Sequence, residues 1–180
     1  METIKCFIVV LMFVFFLFPA LLNAQVYEMS TQELTKESTS IHVGKCKEKT
    51  SFWNDKHDRI FTKVKFTVEE TVKGEAVAET EVLVPGGRMG NIIYEVSDMP
   101  VFAEGEESLL FLWKNPSGKN IVTGALHGKR TIHKDKNTGQ KMILDRKAKH
   151  EEDKEPQGKG LAKKRLLKDY VDEIKGYLKK

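Results

Sequence analysis

Apolar and polar positions alternate with a period of two through much of the chain. The clearest run is Arg59–Val72, RIFTKVKFTVEETV, with Ile60, Thr62, Val64, Phe66 and Val68 on one side and Lys63, Lys65 and Glu69 on the other. Alternation rich in β-branched and aromatic residues predicts a half-buried strand. A strand this long suits a coiled barrel better than a flat sheet. Upstream, Ser30-Thr31-Gln32-Glu33 fits a capping box and predicts a short helix over 30–38. Ile41 and Val43 then open a strand running toward Phe52-Trp53, and the wholly polar Asn54–Asp58 reads as a hairpin loop. Downstream, TEVLV (80–84), NIIYEV (91–96) and the apolar SLLFLW (108–113) predict three more strands, separated by Pro85-Gly86-Gly87 and a connection over 98–107. After the turn Asn115–Gly118, strands are expected over Ile121–Leu126, Lys129–His133 and Met142–Leu144. Short strands with turn signals between them predict an antiparallel sandwich or barrel.

The pattern changes at both ends. Residues 146–160 carry many charges and no large apolar side chain, and read as a solvated linker. Leu161, Leu166, Leu167, Tyr170, Val171, Ile174, Tyr177 and Leu178 then recur at helical spacing, predicting an amphipathic helix over 161–178. At the other end, Cys6–Leu22 is apolar throughout except for Pro19 and follows Lys5. That is the form of a secretory signal peptide, with cleavage expected after Ala24 to leave Gln25 first. Its competitor is an uncleaved anchor, since roughly 17–25 apolar residues cross a bilayer. The expected organisation is therefore an export segment over 1–24, a β-barrel domain over 25–145, a linker over 146–160 and a helix over 161–180.

Composition narrows the class. The chain has 180 residues, a formal charge of +4, 31% charged residues and two cysteines, which excludes a disulfide scaffold and a collagen-like chain. Residues 25–145 hold 17 basic and 18 acidic side chains, whereas 146–180 hold 12 and 7, so the positive excess lies in the tail. After cleavage only Cys46 remains, which leaves no internal disulfide.

The runs SIHVGKCKEKTSFW, RIFTKVKFTVEETVKG, VLVPGG, DMPVFAEGEESLLFLW and VTGALHGKRTI, in that order, resemble an uncharacterised domain common in secreted bacterial proteins. That domain is itself similar to the five-stranded OB-fold (netrin-like) barrel of the tissue inhibitors of metalloproteinases. The most specific parts are the long strand ending in Val-Lys-Gly, the Pro-Gly-Gly turn, and Phe102-x-x-Gly-Glu-Glu ahead of an apolar strand. The resemblance implies a closed, mainly β, OB-like barrel with a short N-terminal and a C-terminal helix. It does not hand over a function. The signal peptide, the resemblance and the lack of a catalytic constellation together lead to the expectation of an exported non-catalytic binding module that recognises another envelope or secreted protein, with a protease among the candidates. The resemblance does not carry over the inhibitors' zinc chelation, which needs an N-terminal cysteine; here Gln25 stands first and can cyclise.

Candidate chemistry adds little against that. The histidines His42, His57, His127, His133 and His150 show no HExxH spacing, and no cysteine pair supports zinc, so no metal or other cofactor is expected. Gly124–Thr131 lacks one spacer of a phosphate loop and is read as a turn with basic flanks. No G-x-S-x-G elbow appears, and catalysis is not expected; the minor alternative is a metal-dependent hydrolase in which His127 and His133 converge across a hairpin with a carboxylate. Trp53, Phe61, Phe66 and Tyr94 could stack on bases, yet the near-neutral barrel and export argue against nucleic acid. Membrane contact is expected only through the N-terminal segment or the basic C-terminal helix around Lys163-Lys164-Arg165. The candidate contact residues, placed at presumed barrel rims, are Trp53, His57, Arg59 and Arg88.

Overall fold

The computed structural model describes residues 29–145 and 163–179. The expected export segment over 1–24, the expected cleavage site at Ala24 and Gln25, the expected linker over 146–160 and Leu161 lie outside the described residues. A short helix α1 (Thr31–Glu37) is followed by β1 (Ser40–Trp53), β2 (Ile60–Lys73), β3 (Glu79–Pro85), β4 (Gly87–Met89), β5 (Ile92–Tyr94), β6 (Glu107–Lys114), β7 (Asn120–Val122), β8 (Lys129–Lys134), β9 (Lys141–Asp145), β10 (Lys163–Leu166) and a second helix α2 (Leu167–Leu178).

Five strands close on themselves in the order β1-β2-β3-β7-β6, with β6 returning to β1. This is the order of an OB-like barrel. Closure depends on β1, whose 14 residues are long enough to pair with β2 along one edge and with β6 through Ser40–Lys45 along the other. Register shifts after Ile41, Val43 and Cys46 bend it around the barrel. Gly44 sits where a Cβ would stand 2.6 Å from the Thr67 carbonyl oxygen, so only glycine lets the two backbones approach. The pairing is antiparallel except at one seam, where β3 and β7 touch in parallel at Val82 and Asn120.

The run SLLFLW forms β6 because it faces apolar surroundings on both sides. Leu110 and Leu112 join Val64, Phe66, Val82 and Phe102 inside the barrel, while Leu109 and Phe111 join Leu34, Ile143, Tyr170 and Ile174 outside it. The second cluster is where both helices dock. The Ser30–Glu33 capping box is formed, with Ser30 Oγ accepting from the Glu33 N–H. At the other end of α1, Lys73 Nζ donates to the carbonyls of Thr35 (2.7 Å) and Ser38 (2.5 Å).

Four expectations need correction. Asn91–Val96 is not a barrel strand: only Ile92–Tyr94 is extended, and it pairs with β4 in a separate ribbon. The strand expected over Ile121–Leu126 stops at Val122, because Gly124 and Ala125 take left-handed backbone (φ 64° and 54°) into a 3₁₀ turn over Ala125–Gly128. Arg130 Nη1 fastens that turn by donating to the carbonyls of His127 and Lys129. The C-terminal helix starts at Leu167, not 161; Lys163–Leu166 instead form β10, paired with β9. Lys164 and Arg165 therefore lie on a strand and not on a helix face.

His42 gives the fold a pH response. It is buried, its Nδ1 lies 3.1 Å from Thr71 Oγ1, and burial pushes its pKa below the ordinary 6.5. As pH falls through 6.5 the unfolded chain takes up this proton before the folded one does, so stability declines with acidification. The urea midpoint measured from pH 8 to 5 is expected to fall, and His42→Asn to flatten that slope. An unchanged slope in the variant would assign the response to other groups.

Candidate functional site

The predicted contact residues gather at one end of the barrel. At the β1–β2 tip, Asn54 Oδ1 accepts from the N–H groups of Asp58 and Arg59, both at 3.1 Å, and Asn54 Nδ2 donates to Asp58 Oδ1 at 2.6 Å. This turn holds His57 at φ 54°, a left-handed conformation rare outside glycine. The result is a stack of His57 on Trp53, with centroids 6.5 Å apart and planes at 23°. Arg59 follows, exposed.

Arg88 reaches the same end on the β4–β5 ribbon. Its N–H donates to Ser51 Oγ at 3.4 Å and its Nε to the Gly90 carbonyl at 3.1 Å. The ribbon lies against the barrel because residue 87 is glycine: a Cβ there would stand 2.4 Å from Thr62 Oγ1 and 2.6 Å from Ser51 Oγ. Neither Arg59 nor Arg88 shares an ion pair or ring contact with the Trp53–His57 stack. The structure thus brings Trp53 and His57 together and sets the two arginines around them. Of the rings that suggested base stacking, Phe66 is fully buried in the barrel, and Tyr94 belongs to the ribbon.

Sequence reasoning did not count the most exposed apolar groups at this end among the contact residues, although Tyr94 was named as a ring that could stack on bases. Ile92, Ile93 and Tyr94 are 53%, 60% and 37% exposed, and Val101, in the following loop, is 82% exposed. Val101 is held outward from both sides. Phe102 turns inward and meets the edge of Phe66 at 5.2 Å, plugging the barrel. Lys49 Nζ donates to the Phe102 carbonyl at 2.8 Å. Lys129 Nζ donates to the Val101 carbonyl, lies 4.5 Å from the centre of the Phe102 ring and pairs with Glu106 at 2.6 Å. Glu106 also accepts from Thr131 Oγ1 (2.7 Å) and from the Ala103 N–H (3.0 Å). Burial raises the Glu106 pKa, but its hydrogen bonds from Lys129, Thr131 and Ala103 outweigh that and hold the carboxyl below 4.5. The only sequence signal for this latch was Phe-x-x-Gly-Glu-Glu, because its partners Lys49 and Lys129 are remote in the chain.

Between the ribbon and this loop runs a groove of about 620 Å³, floored by Val64, Val84 and Phe102 and flanked by Lys49, Arg88 and Glu95. A smaller apolar cleft of about 250 Å³ adjoins it past Met99 and Pro100, beside Leu83, Trp113 and Ile121.

No protein-family model matches the chain, and no curated protein matches it. Among the described residues no group of three or more His, Cys, Asp or Glu side chains is placed to hold a metal ion. Cys46 is a buried free thiol, and burial raises its pKa, which keeps it protonated and unreactive. Of the described helices, neither is long and apolar enough to cross a membrane. What the barrel end offers is a firmly held apolar surface with tryptophan, tyrosine and arginine around it, the composition in which interface binding energy concentrates.

Proposed function

We propose that this chain is an exported, non-catalytic OB-like barrel that recognises another protein through the barrel end formed by the β1–β2 tip, the β4–β5 ribbon and the loop at 98–106. The observation that carries the reading is Val101, an apolar side chain 82% exposed on a loop that two lysines and a buried phenylalanine hold in place. A loop that merely capped the barrel would turn its apolar residues inward; anchoring one outward suits a contact surface. Trp53, His57, Arg59 and Arg88 would form its polar and aromatic rim.

The resemblance to the metalloproteinase inhibitors favours an exported protease as the partner class. Without their N-terminal cysteine, contact would come from the barrel end and not from chelation of a protease zinc. The alternative is a membrane-anchored envelope structural protein that retains residues 6–22. Since α2 lays its apolar stripe on the barrel through Leu167, Tyr170, Val171 and Ile174, membrane contact by that helix would fall to its polar face.

A photo-crosslinking residue placed at Ile92 or Val101 in the exported protein is expected to give one discrete adduct in cell-envelope extracts. The same group at Lys168, on the exposed side of α2, is expected to give none. Equal labelling from all three positions would remove the barrel end as a recognition surface.

A further inference from the structure

The ribbon ends in an unpartnered edge whose geometry is specific. Met89 and Ile92 flank the two-residue turn Gly90-Asn91, and Gly90 has φ 58° while Asn91 is not in the left-handed region, the pattern of a type II′ turn. In such a hairpin the pair next to the turn exchanges both main-chain hydrogen bonds, so the following pair, Arg88 and Ile93, does not. The N–H and C=O of Ile93 therefore point away from β4. No strand lies on that side among the described residues, and neither group has a partner there.

Exposed edges are normally protected by charge or proline. The edge strand β10 is, through the exposed Lys164, whereas β5 reads Ile-Ile-Tyr with no charge at all. A second copy paired through this edge alone would bury too little, since three residues fall far short of the roughly 800 Å² per partner that a stable interface needs. An extended chain that continues past the edge gains more. Beside Ile93 and Tyr94 it meets the groove of about 620 Å³ with its apolar floor of Val64, Val84 and Phe102.

We propose that an extended segment of the partner protein, apolar at alternate positions, adds as a strand to the free edge of β5 at Ile93 and lays its apolar side chains in the groove under Met99–Phe102. This rests on the protein-recognition reading and names the form of partner that the site takes. Main-chain hydrogen bonds supply affinity in such strand addition, and the groove selects side chains.

The test uses the exported protein and an amidated decapeptide of alternating threonine and valine with fluorescein on its N-terminus. Saturable binding by fluorescence anisotropy is expected, with amide exchange at Ile93 slowed about tenfold or more, matching one net main-chain hydrogen bond. Ile93→Pro removes the outward N–H without touching the β4 ladder, and is expected to weaken peptide binding about tenfold, while Ile93→Val binds like the parent. The proposal is overturned by no saturable binding, by binding that leaves the Ile93 amide unprotected, or by Ile93→Pro binding as well as Ile93→Val. A dimer that forms with concentration and is lost in Ile93→Pro would place a second copy on the edge and also overturn it. If Ile93→Pro fails to fold, exchange at Ile93 in the parent protein decides alone. Crosslinks from Ile92 and Val101 that persist while these tests fail would leave the recognition reading standing without strand addition.

Discussion

Replacing Tyr170 by alanine is expected to destabilise the protein by about 3–5 kcal/mol, the range for emptying a large aromatic site in a core. Tyr170 is fully buried, stands edge-on to Phe111 at 6.5 Å, carries Arg165 over its ring at 5.3 Å, and places its hydroxyl 3.1 Å from Thr31 Oγ1. One side chain therefore joins α2, α1 and the outer face of β6. Tyr170→Phe keeps the packing and loses only the hydroxyl contact, so it should cost about 1 kcal/mol. Urea unfolding followed by fluorescence measures both. A Tyr170→Ala cost near that of Tyr170→Phe would mean that α2 is an appendage and not part of the core.

The second large effect is expected at Lys129. Lys129→Met removes the partner of Glu106, whose carboxyl remains largely buried, and frees the Val101 carbonyl. Breaking a fully buried ion pair costs about 3–5 kcal/mol; the 11% and 17% residual exposure here lowers the expectation to about 2–3 kcal/mol. The pH profile should change as well. In the parent protein the Glu106 pKa lies below 4.5, so its stabilisation is present above that pH and is lost as pH falls through the folded-state value. Without Lys129 that loss should begin at higher pH. Amide exchange over 99–103 should quicken, and the crosslink from Val101 should weaken if the loop is the contact surface. A variant as stable as the parent, with unchanged exchange, would show that Phe102 alone holds the loop.

The long alternating strand was legible because one face of β2 is buried along most of its length and period-2 patterning records that directly. The capping box at Ser30–Glu33 was legible because its hydrogen bonds close within three residues. Failures came where a pattern had two tertiary readings. NIIYEV has the composition of a barrel strand, yet Pro85-Gly86-Gly87 turns the chain onto the rim and leaves Ile92 and Ile93 in water. Leu161–Leu166 continued the helical spacing, yet the free edge of β9 captured Lys163–Leu166 as a strand. Propensity is a weak prior against an available sheet edge.

At the candidate site, Trp53, His57, Arg59 and Arg88 were chosen as loop residues at presumed rims. The polar run Asn54–Asp58 and the Pro-Gly-Gly turn were enough to mark those loops. Val101 was not legible, because its direction depends on Lys49 and Lys129, which lie far from it in the chain and approach only when the barrel closes. By itself the sequence determined the long strands β1, β2, β3 and β6, the capped helix and the β-rich class, since these follow from local periodicity and backbone chemistry. The tertiary structure alone decided the seam between β3 and β7, the exposed ribbon and the outward loop. Each depends on residues that are remote in the chain and approach only once β1 has paired on both sides and the barrel has closed.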